Sequence, residues 1–416
     1  MRVRVSVRVR ADTPDPTHRE ELVRFLRGFR DWTQFVIDEV WRECSKDGRL
    51  VRVPPLKELH HRFYHVLRGQ GFRGRHCSMI INRAREVLKS VKSNRGSKPV
   101  LRRLTARDDR YDFRFDADRL VLRLPVLDGG WVELVLMWSR KLERYLRVGT
   151  LKATTVSFDG ESFWVSLVFE VDVSEVVPRA VMGIDVNFGC VAYAVVSLDG
   201  ELLRMGTIPF RGLVRVLRRK ELMERFQRRH RGWRYVKRFR EHIKRLGRRI
   251  RNIMEDSTHH ISNKVIEIAV EEGAVIAMEN LKNIRVRSNG KGRGFKKRIT
   301  LWAFRKLQEK IQYKATLKGL KTIKVNPRNT SKTSPIGGEL KFLNYRHVKL
   351  PNGHTLTRDL IAAWNIALKA LKTINNGTPS NIRCGGGWQV VPLNAPDQMQ
   401  TQEGMKGKTR NAKRGI

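Results

Sequence analysis

Three acidic residues, Asp185, Glu279 and Asp359, stand out because the chain around each of them is apolar or regularly patterned. Asp185 lies in the strand-like run AVMGIDV, Glu279 lies near the end of AVIAMEN, and Asp359 begins the helical pattern RDLIAAWNIALKAL. A carboxylate flanked by Ile184 and Val186 costs on the order of several kcal/mol unless another group compensates it. Clustered carboxylates repel one another, and they stay ionised only with cations among them.

Divalent cations would supply that compensation, and hard oxygen ligands favour Mg²⁺ or Mn²⁺. Two such ions about 3.5–4 Å apart can activate a water and stabilise the leaving oxygen of a phosphodiester. In this interpretation Asp185 bridges both ions, and Glu279 and Asp359 each hold one. A simpler interpretation stays open, because an acid near a strand end is usually a surface residue and Asp359 could N-cap its helix.

The elements that must position these acids follow one another in the second half of the chain. AVMGIDV, CVAYAVVSL and LLRMGTI predict a three-stranded meander, and long helical segments follow it. Further strands are predicted at 274–280 and 321–326, and helices at 302–319 and 358–371. Two of these strands can be neighbours with the last helix packed across them, so acids remote in the chain could meet.

The first half is patterned differently. RVRVSVRVR alternates, which predicts a half-buried strand with an Arg-rich outer face. Residues 16–98 predict a helical unit, and 110–172 carry hairpin signals at LDGG and FDGES. We expect the N-terminal strand to join that later sheet, which makes the helical unit an insertion into a β-domain. The tail at 375–416 lacks periodicity and predicts disorder.

Composition indicates a nucleic-acid partner. Lys and Arg number 85 against 41 Asp and Glu, a formal net charge of +44 that calls for a polyanion. An unusually basic fold that serves only solubility is the alternative. A membrane is disfavoured, because no run approaches the ~18 apolar residues of a spanning helix and MRVRVSVRVR is not a signal peptide. Four cysteines without a CxxC pair fit a reduced cytoplasm, where we expect the protein to associate with the nucleoid.

Four segments resemble the RuvC-type motifs of TnpB proteins: GIDVNFG, VIAMENLKNI, VNPRNTSKTSPIGG and LTRDLIAAWNIAL. TnpB proteins are insertion-sequence OrfB proteins, often described as probable transposases, and they resemble ancestors of the compact type V CRISPR effectors. The similarity spans about 180–372. It implies an α/β, RNase H-like (RuvC) nuclease domain at 174–374, with Asp185, Glu279 and Asp359 as the catalytic and metal-binding triad.

The resemblance also implies partners and a reaction. It implies a guide RNA transcribed from the end of the element, recognition of a short motif beside a double-stranded DNA target, and Mg²⁺- or Mn²⁺-dependent DNA cleavage. The N-terminal half matches only in layout: a β-rich, barrel-like wedge domain at 1–15 and 99–173, with a helical recognition insertion at 16–98. Such a protein is associated with transposition and DNA recombination.

One departure from the family concerns a four-cysteine zinc knuckle. The segment at 327–357 occupies its place, but Ser334 and Gly337 stand at the first cysteine positions and Leu350 where the second pair should begin. His347 and His354 alone are a poor zinc site. We therefore expect no structural zinc and predict a small β-hairpin.

A second departure is Thr357, which stands where the family often has an acid two residues before the last catalytic Asp. Its effect on metal binding is left open by the sequence.

Basic surfaces offer contacts to phosphates. The stretch 211–249 holds 17 Lys or Arg against three Glu, with interleaved aromatics that are more often core anchors than stacking platforms. A basic loop at 285–298 follows Glu279, and the Arg-rich strand face suits the backbone of a guide–target duplex. The candidate nucleic-acid-binding residues are Arg228, Arg229, Arg234, Lys237, Arg238, Lys244, Arg245, Arg293, Lys296 and Lys297.

The leading hypothesis is an RNA-guided, metal-dependent DNA endonuclease. One alternative is an RNA-guided DNA-binding repressor that has lost nuclease activity. A transposase that joins strands is a further alternative, although no Tyr nucleophile motif is present. A basic RNA-binding protein of ribosomal type would explain the charge but not the three acids.

Overall fold

A computed structural model of the chain describes residues 1–109, 112–280 and 304–374. These residues form a mixed α/β fold with two compact units, Met1–Asp172 and Val173–Ile416. Within the described ranges, no helix is long and apolar enough to cross a bilayer. The predicted disordered tail and the basic loop at 285–298 lie outside the described residues.

The first unit contains a seven-stranded antiparallel sheet in the order β4-β8-β9-β1-β7-β6-β5. Its valines alternate as predicted, because Val3, Val5, Val7 and Val9 are all buried on β1. In this order β4 and β5 are edge strands, so the described sheet is open where the sequence predicted a barrel-like domain. The strands are β1 (Arg2–Asp12), β4 (Leu104–Asp109), β5 (Arg114–Asp116), β6 (Val121–Pro125), β7 (Trp131–Leu136), β8 (Gly149–Phe158) and β9 (Phe163–Asp172).

The N-terminal strand does join the later sheet, since β1 pairs with β9 along most of its length and with β7 at its end. Its outer arginines are partly neutralised by the neighbouring strand, because Arg2 lies 3.7 Å from Asp172 and Arg4 3.9 Å from Glu170.

Helices lie between β1 and β4 in the chain. The first begins where the Asp15 carboxylate accepts from Thr17 N at 2.8 Å, with Pro16 at its first position. Its buried face repeats at helical spacing, as Leu22, Phe25 and Phe29 show. The remaining elements of this unit are α1 (Pro16–Cys44), β2 (Ser45–Lys46), β3 (Arg49–Leu50), α2 (Leu56–Gly69), α3 (Gly74–Ser93) and α4 (Arg140–Val148).

The second unit is built on a five-stranded sheet in the order β12-β11-β10-β13-β14. The first three strands form the predicted antiparallel meander, and the next two add in parallel. The elements are β10 (Ala180–Val186), β11 (Cys190–Ser197), β12 (Leu202–Pro209), α5 (Leu213–Arg229), α6 (Lys237–Glu271), β13 (Ala274–Glu279), α7 (Phe304–Leu317), β14 (Thr322–Val325) and α8 (Arg358–Ile374).

The two faces of this sheet are covered by different helices. Alternate residues of the central strands, such as Ile184 and Ile276, pack in one apolar cluster with residues of α6 and α7. The other set, such as Val181 and Ala277, packs in a second cluster with α8. Gly183 permits the close approach of α8, because a Cβ there would lie 2.0 Å from Ala363 O.

The segment at the zinc-knuckle position folds as a three-stranded antiparallel sheet, where the sequence predicted a hairpin. Its strands are β15 (Lys341–Phe342), β16 (His347–Lys349) and β17 (Thr355–Thr357). Val348, Leu350 and Leu356 are buried in the same apolar cluster as α8. Contact with the main core therefore anchors the small sheet.

Candidate active site

Asp185 and Glu279 occupy equivalent places at the ends of neighbouring strands. The last paired residues of β10 and β13 are Ile184 and Met278, in parallel register, and each acid is the next residue along its strand. By alternation Asp185 shares the sheet face of Gly183, which is the face that α8 covers. The fold therefore brings these two acids to one edge of the sheet.

Asp359 reaches the same region from α8. The helix begins at Arg358, and Thr357 Oγ1 accepts from Leu360 N at 3.4 Å, which makes Thr357 the capping residue. The interpretation that Asp359 merely caps its helix is therefore wrong. Asp359 is half-buried in the first helical turn.

The charged form of Asp185 is disfavoured in the metal-free protein. Burial raises the pKa of Asp185 to about 7, with further contributions from the charges of Glu279 and Asp359 and an opposing hydrogen bond from Asn187. That bond runs from Asn187 Nδ2 to Asp185 Oδ2 at 2.7 Å. The charges of both other acids act on Asp185. It is therefore the hardest of the three to keep ionised without a cation.

Glu279 and Asp359 each have their own polar surroundings. Burial raises the pKa of the Glu279 carboxyl, while a hydrogen bond from Thr330 and the charge of Lys369 lower it. Burial likewise raises the pKa of the Asp359 carboxyl, and the charges of Arg346 and Arg358 lower it. Each acid thus has a separate set of groups that favours its charged form.

A preformed ligand set is not present in the described chain. Across 1–109, 112–280 and 304–374, no three His, Cys, Asp or Glu side chains lie close enough to hold one ion. The carboxylates repel one another, and two of them are bound to Asn187 and Thr330 instead. The metal-binding and catalytic roles of Asp185, Glu279 and Asp359 therefore stay predictions.

Glu279 is fixed through its backbone as well as its side chain. Buried Gln308 of α7 donates its Nε2 to Glu279 O at 2.9 Å, and Thr330 Oγ1 donates to Glu279 Oε1 at 2.7 Å. Sequence reasoning assigned no role to Asn187, Thr330 or Gln308. The first two lie inside the quoted motifs GIDVNFG and VNPRNTSKTSPIGG, which was the available signal.

Arg346 belongs to the turn between β15 and β16, so the small sheet brings a positive charge near Asp359. Its carbonyl accepts from Arg358 N at 2.8 Å, which ties that turn to the start of α8. Arg358 in turn places its guanidinium over Phe342 and Tyr345, 5.6 Å from each ring centroid. No periodic pattern in the sequence marks this arrangement.

Cys190 lies at the start of β11, close to the acids. Burial, together with the charges of Asp359 and Asp185, raises the pKa of its thiol to about 11. In the metal-free protein the thiol is therefore protonated at neutral pH. The carboxylates of Asp185, Glu279 and Asp359 are the hard oxygen donors of the site.

A cavity of about 540 Å³ adjoins the loop that follows β14. Lys324, Arg328 and Lys369 are among its lining residues, so it is basic. Lys369 Nζ donates to Asn326 O at 3.3 Å and also to Arg328 O, which holds the loop against α8.

The predicted nucleic-acid-binding residues lie mainly on α5 and α6. Arg228 and Arg229 end α5, Arg234 lies in the turn, and all are exposed. Also exposed on α6 are Lys237, Arg238, Lys244 and Arg245. The other three candidates, Arg293, Lys296 and Lys297, lie outside the described residues.

The interleaved aromatics divide into two groups. Phe226 and Phe239 pack at 5.4 Å with His230 and His242 around them, so they anchor α5 to α6 as predicted. Tyr235 in the turn is 89% exposed, which leaves its ring free for stacking.

Comparisons with known proteins agree with the sequence motifs. The profile of the family described as Cas12f1-like, TNB domain matches residues 304–366. A TnpB-like protein of Methanocaldococcus jannaschii is 29% identical over 197 residues, which cover 46% of this chain and 69% of that protein. The chain is therefore similar to TnpB-like proteins and, over residues 304–366, to compact type V effectors.

Two CRISPR-associated endodeoxyribonucleases also match parts of this chain. Cas12f2 of a Micrarchaeota archaeon is 33% identical over 30% of this chain and 24% of the enzyme. Cas12f1 of Sulfoacidibacillus thermotolerans is 31% identical over 32% of this chain and 31% of the enzyme. The match to this chain therefore spans a third or less of the length of either enzyme.

A likeness in fold covers more of the chain than the sequence matches do. A cryo-EM structure of a Cas12f1–sgRNA–target DNA complex contains a chain that aligns with 88% of this one, over 98% of its own length. The TM-score is 0.58 and the sequence identity 13%, so this similarity concerns the fold.

Proposed function

We propose that this chain is an RNA-guided, divalent-metal-dependent DNA endonuclease. The observation that carries the proposal is the placement of Asp185 at the end of β10, where both Glu279 and Asp359 act on its carboxyl charge. A structural role alone does not explain three half-buried acids that disfavour one another. Similarity to a TnpB-like protein and to Cas12f enzymes supports the same conclusion.

The donor set suits hard divalent cations. All three acids offer carboxylate oxygen donors. These are ligands that Mg²⁺ and Mn²⁺ prefer. When bound, such ions would activate a water and stabilise the leaving oxygen of a phosphodiester, in an RuvC-like two-metal reaction.

Each residue of the chain has a separable task in this proposal. Asp185, Glu279 and Asp359 would together hold the ions. Thr330 and Gln308 hold Glu279 in place, and Asn187 orients Asp185. The charge of Arg346 favours the ionised form of Asp359, and the charge of Lys369 favours that of Glu279. The ionised form is the one that binds a cation.

The partners in this proposal are a guide RNA from the element end and a double-stranded DNA target. The exposed basic residues of α5 and α6 suit phosphate contacts, which supply affinity without reading sequence. Among known relatives, Cas12f1 has been visualised with an sgRNA and target DNA.

The experiment is to co-express the chain with the DNA that flanks its reading frame, purify it, and sequence the bound RNA. A plasmid that matches the guide should be cut only with Mg²⁺ or Mn²⁺. Asp185→Asn should abolish cutting while it retains the bound RNA. Absence of a specific RNA, or equal cutting by Asp185→Asn, would refute the proposal.

Guide-dependent target binding with no cleavage in Mg²⁺, Mn²⁺ or Co²⁺ would instead indicate an RNA-guided DNA-binding protein without nuclease activity.

A further inference from the structure

The loop that follows β14 connects Glu279 to the helix that carries Asp359. Thr330 lies in this loop and is 4% exposed, and its hydroxyl lies 2.7 Å from Glu279 Oε1. The same hydroxyl is 3.2 Å from Pro327 O. The hydroxyl has one proton to donate. The Glu279 carboxylate is the nearer of the two acceptors and the stronger one.

Asn365 of α8 holds this loop from the other side. Its side chain is 7% exposed, and its Nδ2 donates to Thr330 O and to Thr333 O, each at 2.8 Å. Both amide hydrogens are therefore used on the backbone of one short loop. A buried polar side chain this fully bonded to one segment fixes that segment's position.

We propose that Thr330 and Asn365 are positioning residues for Glu279, so that α8 carries Asp359 directly and orients Glu279 through the loop. The inference rests on the proposed function, because it concerns how an ion would be held. A carboxylate with a fixed rotamer meets a cation without first being ordered, and hydrogen-bonded outer partners of this kind support metal ligands.

The direct test measures Mn²⁺ binding to the full-length chain without RNA, with free ion counted by EPR. Thr330→Val keeps the shape of the side chain and removes its hydroxyl, and it should weaken binding about 10–100-fold. Thr330→Ser restores the hydroxyl and should bind within about threefold of the unchanged chain. Thr373→Val is the matched control, because its exposed hydroxyl donates to Lys369 O within α8.

A second variant separates positioning from folding. Asn365→Asp keeps the shape of the side chain but removes both N–H donors, and it should weaken Mn²⁺ binding in the same direction as Thr330→Val. Thermal melting identifies any variant that is unfolded at the assay temperature. If Thr330→Val is unfolded, Asn365→Asp and Thr330→Ser decide the question.

Guided cleavage supplies the second readout. Thr330→Val should need more Mg²⁺ for half-maximal cutting, whereas its rate at saturating Mg²⁺ should fall less. If Glu279→Gln weakens Mn²⁺ binding but folded Thr330→Val does not, the positioning role is refuted and the proposed function stands. If no guided cleavage occurs but Thr330→Val still weakens Mn²⁺ binding, the positioning role stands and the nuclease proposal fails.

Discussion

The two faces of the five-stranded sheet in the second unit differ in the size of their side chains. Towards α6 and α7, the central strands present bulky residues such as Met182, Ile184 and Ile276. Towards α8, they present small ones, including Gly183 and Ala277. The first face buries large apolar area, while the second lets a helix approach closely.

This difference has a functional reason in the proposed site. Burial of large side chains supplies most of the free energy of folding, so the α6–α7 face can hold the sheet together. Small residues on the α8 face bring the helix backbone near the strands. Asp359 can therefore act on Asp185, although the approach places like charges together. One face serves stability, and the other serves placement of the acids.

Truncation on the bulky face should give the largest loss of stability. Ile276 is fully buried, and Ile276→Ala removes buried methyl groups and leaves a cavity, so we expect a loss of about 2–5 kcal/mol. Urea unfolding followed by circular dichroism measures it. Val270→Ala on α6 is the control, because Val270 is 46% exposed and its truncation should cost little. Equal losses would remove the distinction between core and surface.

A larger side chain on the sheet face that α8 covers should cost less stability, but it should displace α8. In Gly183→Ala the new Cβ would lie 2.0 Å from Ala363 O and 2.4 Å from Ala367 N. The helix must shift, at a cost of about 1–3 kcal/mol. Guided cleavage should fall by more than this loss of folded protein explains.

The control for Gly183→Ala is Gly232→Ala, because a Cβ at Gly232 meets nothing within 4 Å. Full cleavage by folded Gly183→Ala would contradict the view that α8 must sit close to the sheet.

Neutralising Asp185 should stabilise the metal-free protein, whereas the two preceding substitutions destabilise it. Asp185→Asn removes a charge that burial, Glu279 and Asp359 disfavour, so the metal-free protein should become more stable by about 0.5–2 kcal/mol. Cleavage should be lost in the same variant. A matched substitution of exposed Asp199→Asn should change neither quantity. A less stable Asp185→Asn would mean that Asp185 has a structural role.

The smallest expected effect is a pH dependence of stability that arises from Lys314 on α7. Burial, then the charge of Lys310, lowers the pKa of Lys314 to about 8. The unfolded chain keeps this proton until about pH 10.5, so the free energy of unfolding should rise with pH between about 8 and 10.5. Solvent screening should keep the rise below about 1 kcal/mol. Lys314→Met should remove it.

Chemical unfolding at pH 7.5, 8.5 and 9.5 measures this slope. Lys318→Met is the control, because Lys318 is exposed just beyond α7 and its loss should leave the slope unchanged. An identical slope in Lys314→Met would show that other groups produce the rise.

Periodic patterns predicted the elements of this unit well. The meander, the strand that ends at Glu279 and the helix that begins near Asp359 all follow from alternation or helical spacing. Which strands are neighbours could not be read from the same patterns. The pairing of β10 with β13 depends on a long crossover, and one strand's sequence does not specify its partner.

Residues in loops and at closely packed positions could not be predicted from periodic patterns either. Thr330 lies in an irregular loop, so no period marks it, and only the folded chain shows which acid it contacts. The need for glycine at position 183 likewise depends on the path of α8 rather than on the strand itself. The small sheet gained a third strand because Leu356 pairs opposite Val348 and both side chains reach the core.

The anchoring of that small sheet by Val348, Leu350 and Leu356 has a practical consequence. Chelators and thiol-modifying reagents disrupt modules that are assembled on cysteine-bound ions, but hydrocarbon contacts do not respond to either. The segment that carries Arg346 to the start of α8 should keep its shape under oxidising conditions and through repeated dialysis against EDTA.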